Sequence, residues 1–312
     1  MQTEHFDSLH SSGEVPPLNE AGEVLNNNLK GWDMLARLLV GGVVSLTAIG
    51  ALFGASSAEA GPALDKISER GEMAVCSKVD YRPFGYRDTD GTPIGLEHDL
   101  ISDVQDRLEK KLGKEIEVDR IPVIAANRIQ FLEGGKCDLL IATMTDKPER
   151  RRTIDIIEPN YYSSGVNVMA LKSVKIDEWS DINGQRLCSS QGAFWNKDLQ
   201  RKHNLDLLTF AGIAETEQAL RDGRCIGLLT DDSLATSRLK DDRWSDFELK
   251  VDTIMDASWG AAIQKGDQEF YDFMSETIAD WHRSGKITEL ENKWGIKPTP
   301  WAKRMHEKYE SM

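Results

Sequence analysis

One unit of sequence occurs twice in this chain, and it constrains the fold more than any other feature. The first copy reads Leu132-Glu-Gly-Gly-Lys-Cys137-Asp-Leu-Leu-Ile, and the second reads Leu220-Arg-Asp-Gly-Arg-Cys225-Ile-Gly-Leu-Leu. In both copies an apolar helical segment ends at glycine, a basic residue and a cysteine follow, and an apolar run opens a strand. Many α/β turns use glycine and a basic residue, so chance is the alternative explanation. The repeat favours two lobes built from one kind of supersecondary unit.

Strands and helices alternate along both halves of the chain. The first half predicts strands over 73–77, 116–123 and 139–142, and helices over 98–112 and 127–132. The second predicts strand-forming segments over 181–191, 205–210 and 226–230, a helix over 215–222, and core helices over 267–284 and 287–294. Such alternation is typical of an α/β protein whose parallel-rich sheets are flanked by helices, with ligands beyond the carboxyl ends of the strands.

A polar stretch follows the strand over 139–142. Thr143 and Thr145 interrupt the apolar run, and Asp146 is a good N-cap, with proline and glutamate in the turn after it. The pattern predicts a helix that starts here, and helix N-termini bind anions. Two hydroxyls and Arg150 beside that start would clamp a carboxylate or a phosphate. The alternative is that the threonines satisfy a turn and Arg150 is a solvated surface charge.

Composition excludes some classes of function. Asp and Glu total 52 against 38 Lys and Arg, so the chain lacks the basic surface typical of a nucleic-acid-binding protein. Four widely spaced cysteines without a CxxC motif, and six histidines, do not indicate a structural zinc site. We predict neither a metal nor a cofactor.

The cysteines are predicted to be free, buried thiols. In a parallel sheet Cys76 ends its strand while Cys137 begins one, which places them about 15 Å apart at about 3.3 Å per residue. Cys188 lies within a strand and Cys225 at a strand start, an offset of about 10 Å. A disulfide needs Cα atoms within about 7 Å of each other. The prediction is therefore firmer for the first pair than for the second.

The N-terminal segment resembles an export leader. Residues 1–33 are polar and acidic, and Leu38 to Ala58 then run for 21 residues without a charge. Ala58 and Ala60 have the spacing of a signal-peptidase site, which predicts cleavage near Ala60 and a mature chain from Gly61. The acidic extension is unusual, and Met34 is a possible true start. An uncleaved membrane anchor is the alternative, since 21 apolar residues can just span a bilayer.

Residues 62–296 resemble the extracytoplasmic solute-binding proteins of amino-acid ABC transporters, and within them the glutamate/aspartate-binding branch. The motifs that carry the resemblance are Pro83-Phe84, Asp90-Gly91 to Gly95, Asn127-Arg128-Ile129, Gly135-Lys-Cys-Asp138, Thr143-Met-Thr145 to Arg150, Glu158-Pro-Asn-Tyr161, and Gly223-Arg to Thr230-Asp231-Asp232. The resemblance implies a two-lobed, type II periplasmic-binding-protein-like fold joined by two hinge crossings. Lobe 1 would comprise 61–165 and 263–312, and lobe 2 would comprise 166–262.

The resemblance also implies roles for seven residues. Arg150, with Thr143 and Thr145, would hold the α-carboxylate of the ligand, and Asp231 would pair with its α-ammonium. Arg128 and Lys78 would hold a distal carboxylate. Ser190 belongs to the second-lobe loop, which departs from the branch because Ala193 and Phe194 replace hydroxyl residues. Trp195 of this loop is predicted to be core, and the alternative is that it forms an apolar or cation–π wall of the site.

The leading function is capture of a polar, acidic L-amino acid such as glutamate or aspartate in the periplasm. The protein would deliver this ligand, as a monomer, to the permease of an ABC transporter, with no chemical step. One alternative is a cyclohexadienyl or arogenate dehydratase on the same fold, with Glu158 or Asp232 as the acid. The other is a ligand-sensing domain that an uncleaved leader anchors to the membrane.

Overall fold

The computed structural model describes residues 63–312, except for the side chain at position 256. The predicted leader over 1–60 lies outside these residues. The described strands are β1 Glu72–Ser77, β2 Asp80–Tyr81, β3 Gly85–Arg87, β4 Pro93–Ile94, β5 Glu117–Pro122, β6 Leu139–Ile141, β7 Ile154–Ile156, β8 Tyr162–Leu171, β9 Arg186–Ser190, β10 Asp206–Phe210, β11 Gly227–Asp231, β12 Phe247–Leu249, β13 Ile254–Trp259 and β14 Ala262–Gln264. The α-helices are α1 Ala63–Arg70, α2 Leu96–Leu112, α3 Arg128–Glu133, α4 Asn196–His203, α5 Ile213–Arg221, α6 Asp232–Arg238, α7 Gln268–Arg283, α8 Lys286–Lys293 and α9 Pro300–Glu310.

Two main sheets share one plan. The first has the order β5-β1-β6-β14-β7, in which β5, β1 and β6 are parallel and β14 is antiparallel to both of its neighbours. The second has the order β10-β9-β11-β8-β12; β10, β9 and β11 are parallel, and β8 is antiparallel to β11 and β12. Each sheet therefore combines three parallel strands with antiparallel return strands. The repeated sequence unit falls at the same place in both, before β6 and before β11.

The chain passes between the sheets twice, from β7 into β8 and from β13 into β14. We call the first sheet with α1–α3 and α7–α9 lobe 1, and the second sheet with α4–α6 lobe 2. The crossing strands are joined to each other, since Tyr162 pairs with Trp259. Both side chains are fully buried and pack against Phe84, with ring centroids 5.1 and 4.9 Å away. The predicted two-lobed α/β class is confirmed.

The core follows from the apolar periodicity of the helices. Leu100, Ile101, Val104 and Leu108 of α2 share one face and are fully buried, as helical spacing predicts. Phe270, Met274, Ile278 and Trp281 form the equivalent face of α7. Gly113 ends α2 in the left-handed region with φ 69°, as its sequence position predicts. The predicted helices are therefore found within one or two residues of their expected ends, apart from the one predicted at Asp146.

The helix predicted to start at Asp146 is absent, and that prediction is wrong. Only a short 3₁₀ turn forms, over Arg150–Arg152. Asp146 N donates to Ser258 O at 2.8 Å, and Thr145 bridges to Trp259, so the crossing strand β13 holds this segment extended. The Asp146 carboxylate does not cap a helix. It accepts from Arg151 Nε and Nη2 at 2.7 and 2.5 Å.

The prediction of free thiols is also wrong, because both cysteine pairs form disulfides. Cys76 bonds to Cys137 and Cys188 to Cys225, and each pair has a Cα separation of 5.6 Å. The prediction measured distance along the strand axis, but Cys137 lies two residues before β6 begins. There the chain folds back, with Lys136 N bonded to Phe131 O and Asp138 N to Ala74 O. Cys225 lies two residues before β11 in the same way, so the two bridges occupy equivalent places in the two lobes.

The C-terminal tail, in which the sequence indicated no chemistry, forms α9. Thr299 caps this helix, its Oγ1 accepting from Ala302 N at 3.1 Å. The buried Glu291 of α8 accepts from Thr299 Oγ1 at 2.8 Å and from Tyr162 Oη at 3.0 Å. The helix therefore packs beside the first crossing strand. None of the helices within 63–312 has the length and apolar character that a bilayer crossing requires.

Candidate functional site

A small cavity of ≈ 30 Å³ lies between the two lobes. The carboxyl ends of β1, β6, β9 and β11 all open onto it, as expected for parallel strands. Its lining consists of Lys78, Tyr81, Ala125, Arg128, Thr143, Thr145, Ser190, Ala193, Phe194, Trp195 and Asp231. Six of the seven predicted site residues are therefore brought together. The seventh, Arg150, is not in the lining but donates from Nη1 to Thr145 O at 2.6 Å.

Thr143 is held in an unusual backbone conformation at the end of β6. Its φ of 47° lies in the left-handed region, which a β-branched residue rarely adopts. Its N–H donates to Glu97 Oε1 at 2.6 Å, and its carbonyl accepts from Arg128 Nη1 at 3.1 Å. Strained backbone of this kind persists where the surroundings over-determine it, often at binding sites. The hydrogen bonds fix the loop that carries Thr143 and Thr145.

Arg128 is buried at the start of α3, and Arg150 is half-buried nearby. Arg128 also donates to the carbonyl of Ala142, while its Nε is buried without a hydrogen-bond partner. Burial, and next the charge of Arg150, lower the pKa of Arg128 to about 10. Burial also lowers the pKa of Arg150. The two guanidinium groups are thus partly desolvated cations that repel each other, and an anion between them would be stabilised.

Lys78 follows β1 and is 3% exposed. Its pKa is lowered, chiefly by burial, while Asp80 is the largest of the nearby charges that raise it. The ammonium lies 4.6 Å from the centroid of the Tyr81 ring. Lys78 therefore adds a second cation to the same wall as Arg128.

Asp231 ends β11 in lobe 2 and is 5% exposed. Its Oδ2 accepts a hydrogen bond from the Tyr81 hydroxyl of lobe 1, and its Oδ1 is buried without a partner. Burial raises the pKa of Asp231 to about 7, although the Tyr81 hydrogen bond acts in the opposite direction. One carboxylate oxygen thus remains available to a donor in the cleft.

The wall from lobe 2 is mainly apolar. Ala193 and Phe194 line it, as the loop sequence predicts, and the Phe194 ring lies 5.1 Å from Trp195 and 5.4 Å from the Lys147 ammonium. Trp195 is buried, and its Nε1 donates to Ser189 Oγ at 3.0 Å. It packs with the lobe 2 core, as predicted, and also faces the cavity.

Three polar residues of the site, Tyr81, Glu97 and Tyr161, were not predicted from the sequence. Tyr81 lines the cavity, and its place in the loop after β1 was a signal that could have identified it. Glu97 is fully buried, and its Oε1, which accepts from Thr143 N, also accepts from the Tyr161 hydroxyl. Burial raises the pKa of Glu97 and of Tyr161. The spacing of Glu97 and Tyr161 in the sequence gives no sign that they meet Thr143.

Comparison with known proteins decides the family. The sequence pattern of the bacterial extracellular solute-binding proteins, family 3, matches residues 73–297. The chain belongs to this family. The chain is 25% identical over 248 residues to the glutamate/aspartate import solute-binding protein of Salmonella typhimurium, covering 77% of this chain and 82% of that one. It is also 25% identical over 263 residues to the L-cystine-binding protein TcyJ of Escherichia coli K12, covering 83% and 96%.

Solved structures agree with the two-lobed, periplasmic-binding-protein-like fold. The solute receptor for L-cysteine of Neisseria gonorrhoeae superposes with a TM-score of 0.70 at 27% identity, over 77% of this chain and 98% of the other. The ancestral amino-acid-binding protein AncCDT-1, described as a precursor of cyclohexadienyl dehydratase, superposes with a TM-score of 0.68 at 25% identity, over 75% and 100%.

Proposed function

We propose that this family 3 protein binds an acidic L-amino acid, such as glutamate or aspartate, between its lobes and delivers it to an ABC transporter. The observation that carries the proposal is the pair of buried cations, Lys78 and Arg128, that line the cavity beside the Thr143 loop. Asp231 is the one carboxylate among the described lining residues. Buried cations are costly unless an anion pairs with them, and a ligand with a second carboxylate would do so.

The three polar groups of such a ligand each have a matching site. Arg150, Thr143 and Thr145 would hold the α-carboxylate through charge-assisted hydrogen bonds. The free Oδ1 of Asp231 would accept from the α-ammonium. Arg128 and Lys78 would hold the distal carboxylate, while Ser190 adds a polar group from lobe 2. The Salmonella relative is named for glutamate and aspartate, which agrees with this arrangement.

The proposal includes a compartment and a mode of action. Two disulfides and no free cysteine fit an oxidising compartment such as the periplasm, where the predicted leader would direct the chain. The lobes, with boundaries near residues 165 and 262, would close on the ligand by bending at the two crossings. We propose that the protein acts as a monomer and passes its ligand to a membrane permease.

The AncCDT-1 likeness makes a dehydratase the second candidate. The two acids proposed for that role do not line the cavity. Glu158 is 67% exposed in its side chain and pairs with Arg151 at 2.8 Å. Asp232 accepts from Ser164 Oγ at 2.8 Å and from Gly165 N at 3.0 Å in the crossing region. The side-chain positions therefore favour binding over turnover, and incubation with prephenate should give no phenylpyruvate.

The test is a calorimetric screen of the purified protein against the common L-amino acids. We expect binding of glutamate or aspartate, and a loss of at least about 100-fold in affinity in Arg150→Ala, because a charge-assisted pair is removed. Arg201→Ala, at an exposed position on α4, is the matched control and should bind as the parent does. Failure to bind any amino acid, or full binding by Arg150→Ala, would overturn the proposal.

A further inference from the structure

Two consecutive residues of lobe 1 reach across the cleft to lobe 2. These are Asp80 and Tyr81, which together form β2. The Tyr81 hydroxyl donates to Asp231 Oδ2, and Asp80 Oδ2 accepts from Ile213 N at 3.2 Å. Both partners belong to lobe 2, at the end of β11 and at the first residue of α5. One short strand therefore makes two separate hydrogen bonds to the opposite lobe.

Asp80 of lobe 1 provides a hydrogen-bond acceptor to the N-terminus of α5 in lobe 2. The N-cap of α5 is Gly212, which has no side chain to accept from the first-turn N–H groups. Asp80 supplies a carboxylate oxygen at that position, where the helix dipole favours negative charge. This stabilisation exists only while lobe 1 lies against lobe 2. Opening the cleft would leave Ile213 N without that acceptor.

The Tyr81 hydroxyl binds the Asp231 carboxylate, which is also the group proposed to bind the ligand ammonium. Asp231 Oδ2 is taken by Tyr81, and Oδ1 is buried without a partner. The hydroxyl therefore restrains the carboxylate of a residue that lines the cavity and leaves its other oxygen unpaired. The Tyr81 ring is itself held in place, since it lies beside the Lys78 ammonium and is 4% exposed.

Strand β2, which carries Asp80 and Tyr81, packs closely against its neighbours. β2 pairs with β3, so that Asp80 lies opposite Tyr86 and Tyr81 opposite Gly85. A Cβ atom added at Gly85 would lie 2.6 Å from Lys78 O, which shows how closely the hairpin folds onto the end of β1. The pairing with β3 and the packing against Lys78 therefore fix the positions of Asp80 and Tyr81.

We propose that Asp80 and Tyr81 form a latch that holds the lobes together around the ligand, and that Tyr81 is a positioning residue for Asp231. This inference rests on the proposed function, because the latch acts on the residue that would bind the ligand ammonium. It predicts that the latch controls how fast the ligand leaves. It does not control which ligand side chain is preferred, because Lys78 and Arg128 are the residues proposed to hold the distal group.

The test is stopped-flow tryptophan fluorescence on the full chain, with glutamate as the probe. Tyr81→Phe removes one hydrogen bond to a charged group, and Asp80→Ala removes the acceptor of Ile213 N, so each should raise the dissociation rate about tenfold. The ratio of glutamate to aspartate affinity should stay as in the parent. The matched controls are Tyr86→Phe on β3 and Asp119→Ala at an exposed position on β5, and both should release ligand at the parental rate.

The outcomes separate this inference from the proposed function. If the parent protein binds no amino acid, the proposed function fails, and the latch fails with it. If the parent binds glutamate but both latch variants release it at the parental rate, the latch alone is overturned. Thermal unfolding of the ligand-free variants checks for misfolding. Should Tyr81→Phe not fold, Asp80→Ala decides the question by itself, because Asp80 is only half-buried.

Discussion

At the scale of single residues, the site is a set of desolvated charges held by backbone and side-chain hydrogen bonds. Lys78, Arg128 and Asp231 were named through the family resemblance, and all three line the cavity. The sequence did not predict the positive φ of Thr143 or the partners Glu97 and Tyr161 that fix it. Those contacts join distant parts of the chain and leave no local pattern.

Neutralising Lys78 should reduce the discrimination between glutamate and glutamine. Lys78→Met keeps much of the side-chain length but removes the cation proposed to face the distal carboxylate. We expect glutamate affinity to fall by about tenfold, while glutamine affinity changes little, because a hydrogen bond to a charged group contributes roughly 1.5–3 kcal/mol. Isothermal titration of both ligands measures this. An equal loss for the two ligands would assign Lys78 to the fold instead.

Ligand affinity should depend on pH through Asp231, whose folded pKa burial raises to about 7. The ammonium needs the ionised carboxylate, so affinity should fall as pH decreases below about 7 and level off above it. The groups that face Asp231 are the Tyr81 hydroxyl, Asp232, and the cations Lys78 and Arg128. Titrations from pH 5 to 8 measure the effect, and the slope should vanish in Asp231→Asn, whose residual binding is weak. An affinity independent of pH in the parent would contradict this role.

The raised pKa of Asp231 also predicts how the stability of the ligand-free protein depends on pH, and this trend is opposite to that of the ligand affinity. The raised pKa means that the folded state binds more protons than the unfolded state between about pH 4 and 7. The Asp231 contribution to the free energy of unfolding should therefore be present at low pH and be lost as pH rises through the folded pKa. Urea unfolding of the parent and of Asp231→Asn, compared at several pH values, isolates this contribution. A contribution that grows as pH rises would contradict it.

At the scale of elements, the repeated sequence unit gives each lobe the same helix–turn–strand with a disulfide at its base. The periodicity of apolar residues was enough to place α2, α5, α7 and α8. The disulfides were mispredicted because the chain leading into β6 folds back before the strand begins. The helix expected at Asp146 does not form, because hydrogen bonds to β13, far along the chain, outweigh the local capping pattern.

Removal of a disulfide should destabilise the protein markedly. The Cys188–Cys225 bridge spans 37 residues, for which the chain-entropy model gives about 4 kcal/mol. We expect Cys188→Ser with Cys225→Ser to lower the free energy of unfolding by an amount of that order, measured by urea denaturation. The companion variant lacking Cys76 and Cys137 is the comparison for lobe 1. If the parent, unfolded without reductant, reacts with a thiol reagent at any of its four cysteines, the pairing is refuted.

The C-terminal helix α9 begins beyond the part of the chain that the family pattern matches, which ends at residue 297. Its cap, Thr299, also supplies two donors to the buried Glu291. Thr299→Ala should therefore cost about 1–2 kcal/mol of stability, measured by urea denaturation. Thr89→Ala, in an exposed turn, is the control and should be near neutral. Equal stabilities of the two variants would contradict the anchoring role of Thr299.

At the scale of the whole molecule, two lobes of similar plan place their strand ends on opposite sides of one cleft. The predicted two-lobed class followed from the sequence because both halves carry the same alternating pattern. The contacts between the lobes could not be predicted from the sequence, because Asp80, Tyr81 and Gly192 meet their partners only when the lobes come together. A Cβ at Gly192 would lie 2.8 Å from Ala126 Cα, so the lobe 2 loop packs closely on lobe 1 there.

Close packing at Gly192 should matter for closure. Gly192→Ala adds a methyl group where φ is 79° and where backbone atoms of lobe 1 lie within 3 Å. We expect the lobes to close less completely, with a larger radius of gyration in saturating glutamate by small-angle scattering and at least about tenfold weaker binding. Gly184→Ala, also at positive φ but with nothing within 4 Å, controls for backbone strain. Identical scattering from the two variants would contradict this contact.

We propose that the cleft selects amino acids that carry a second negative charge. Glutamate and glutamine have nearly the same shape and differ in that charge, so the ratio of their affinities for the parent protein tests the claim most directly. With Lys78 and Arg128 both in the lining, we predict that glutamate binds at least about 100-fold more tightly by isothermal titration. Equal affinities, or tighter binding of glutamine, would contradict the account.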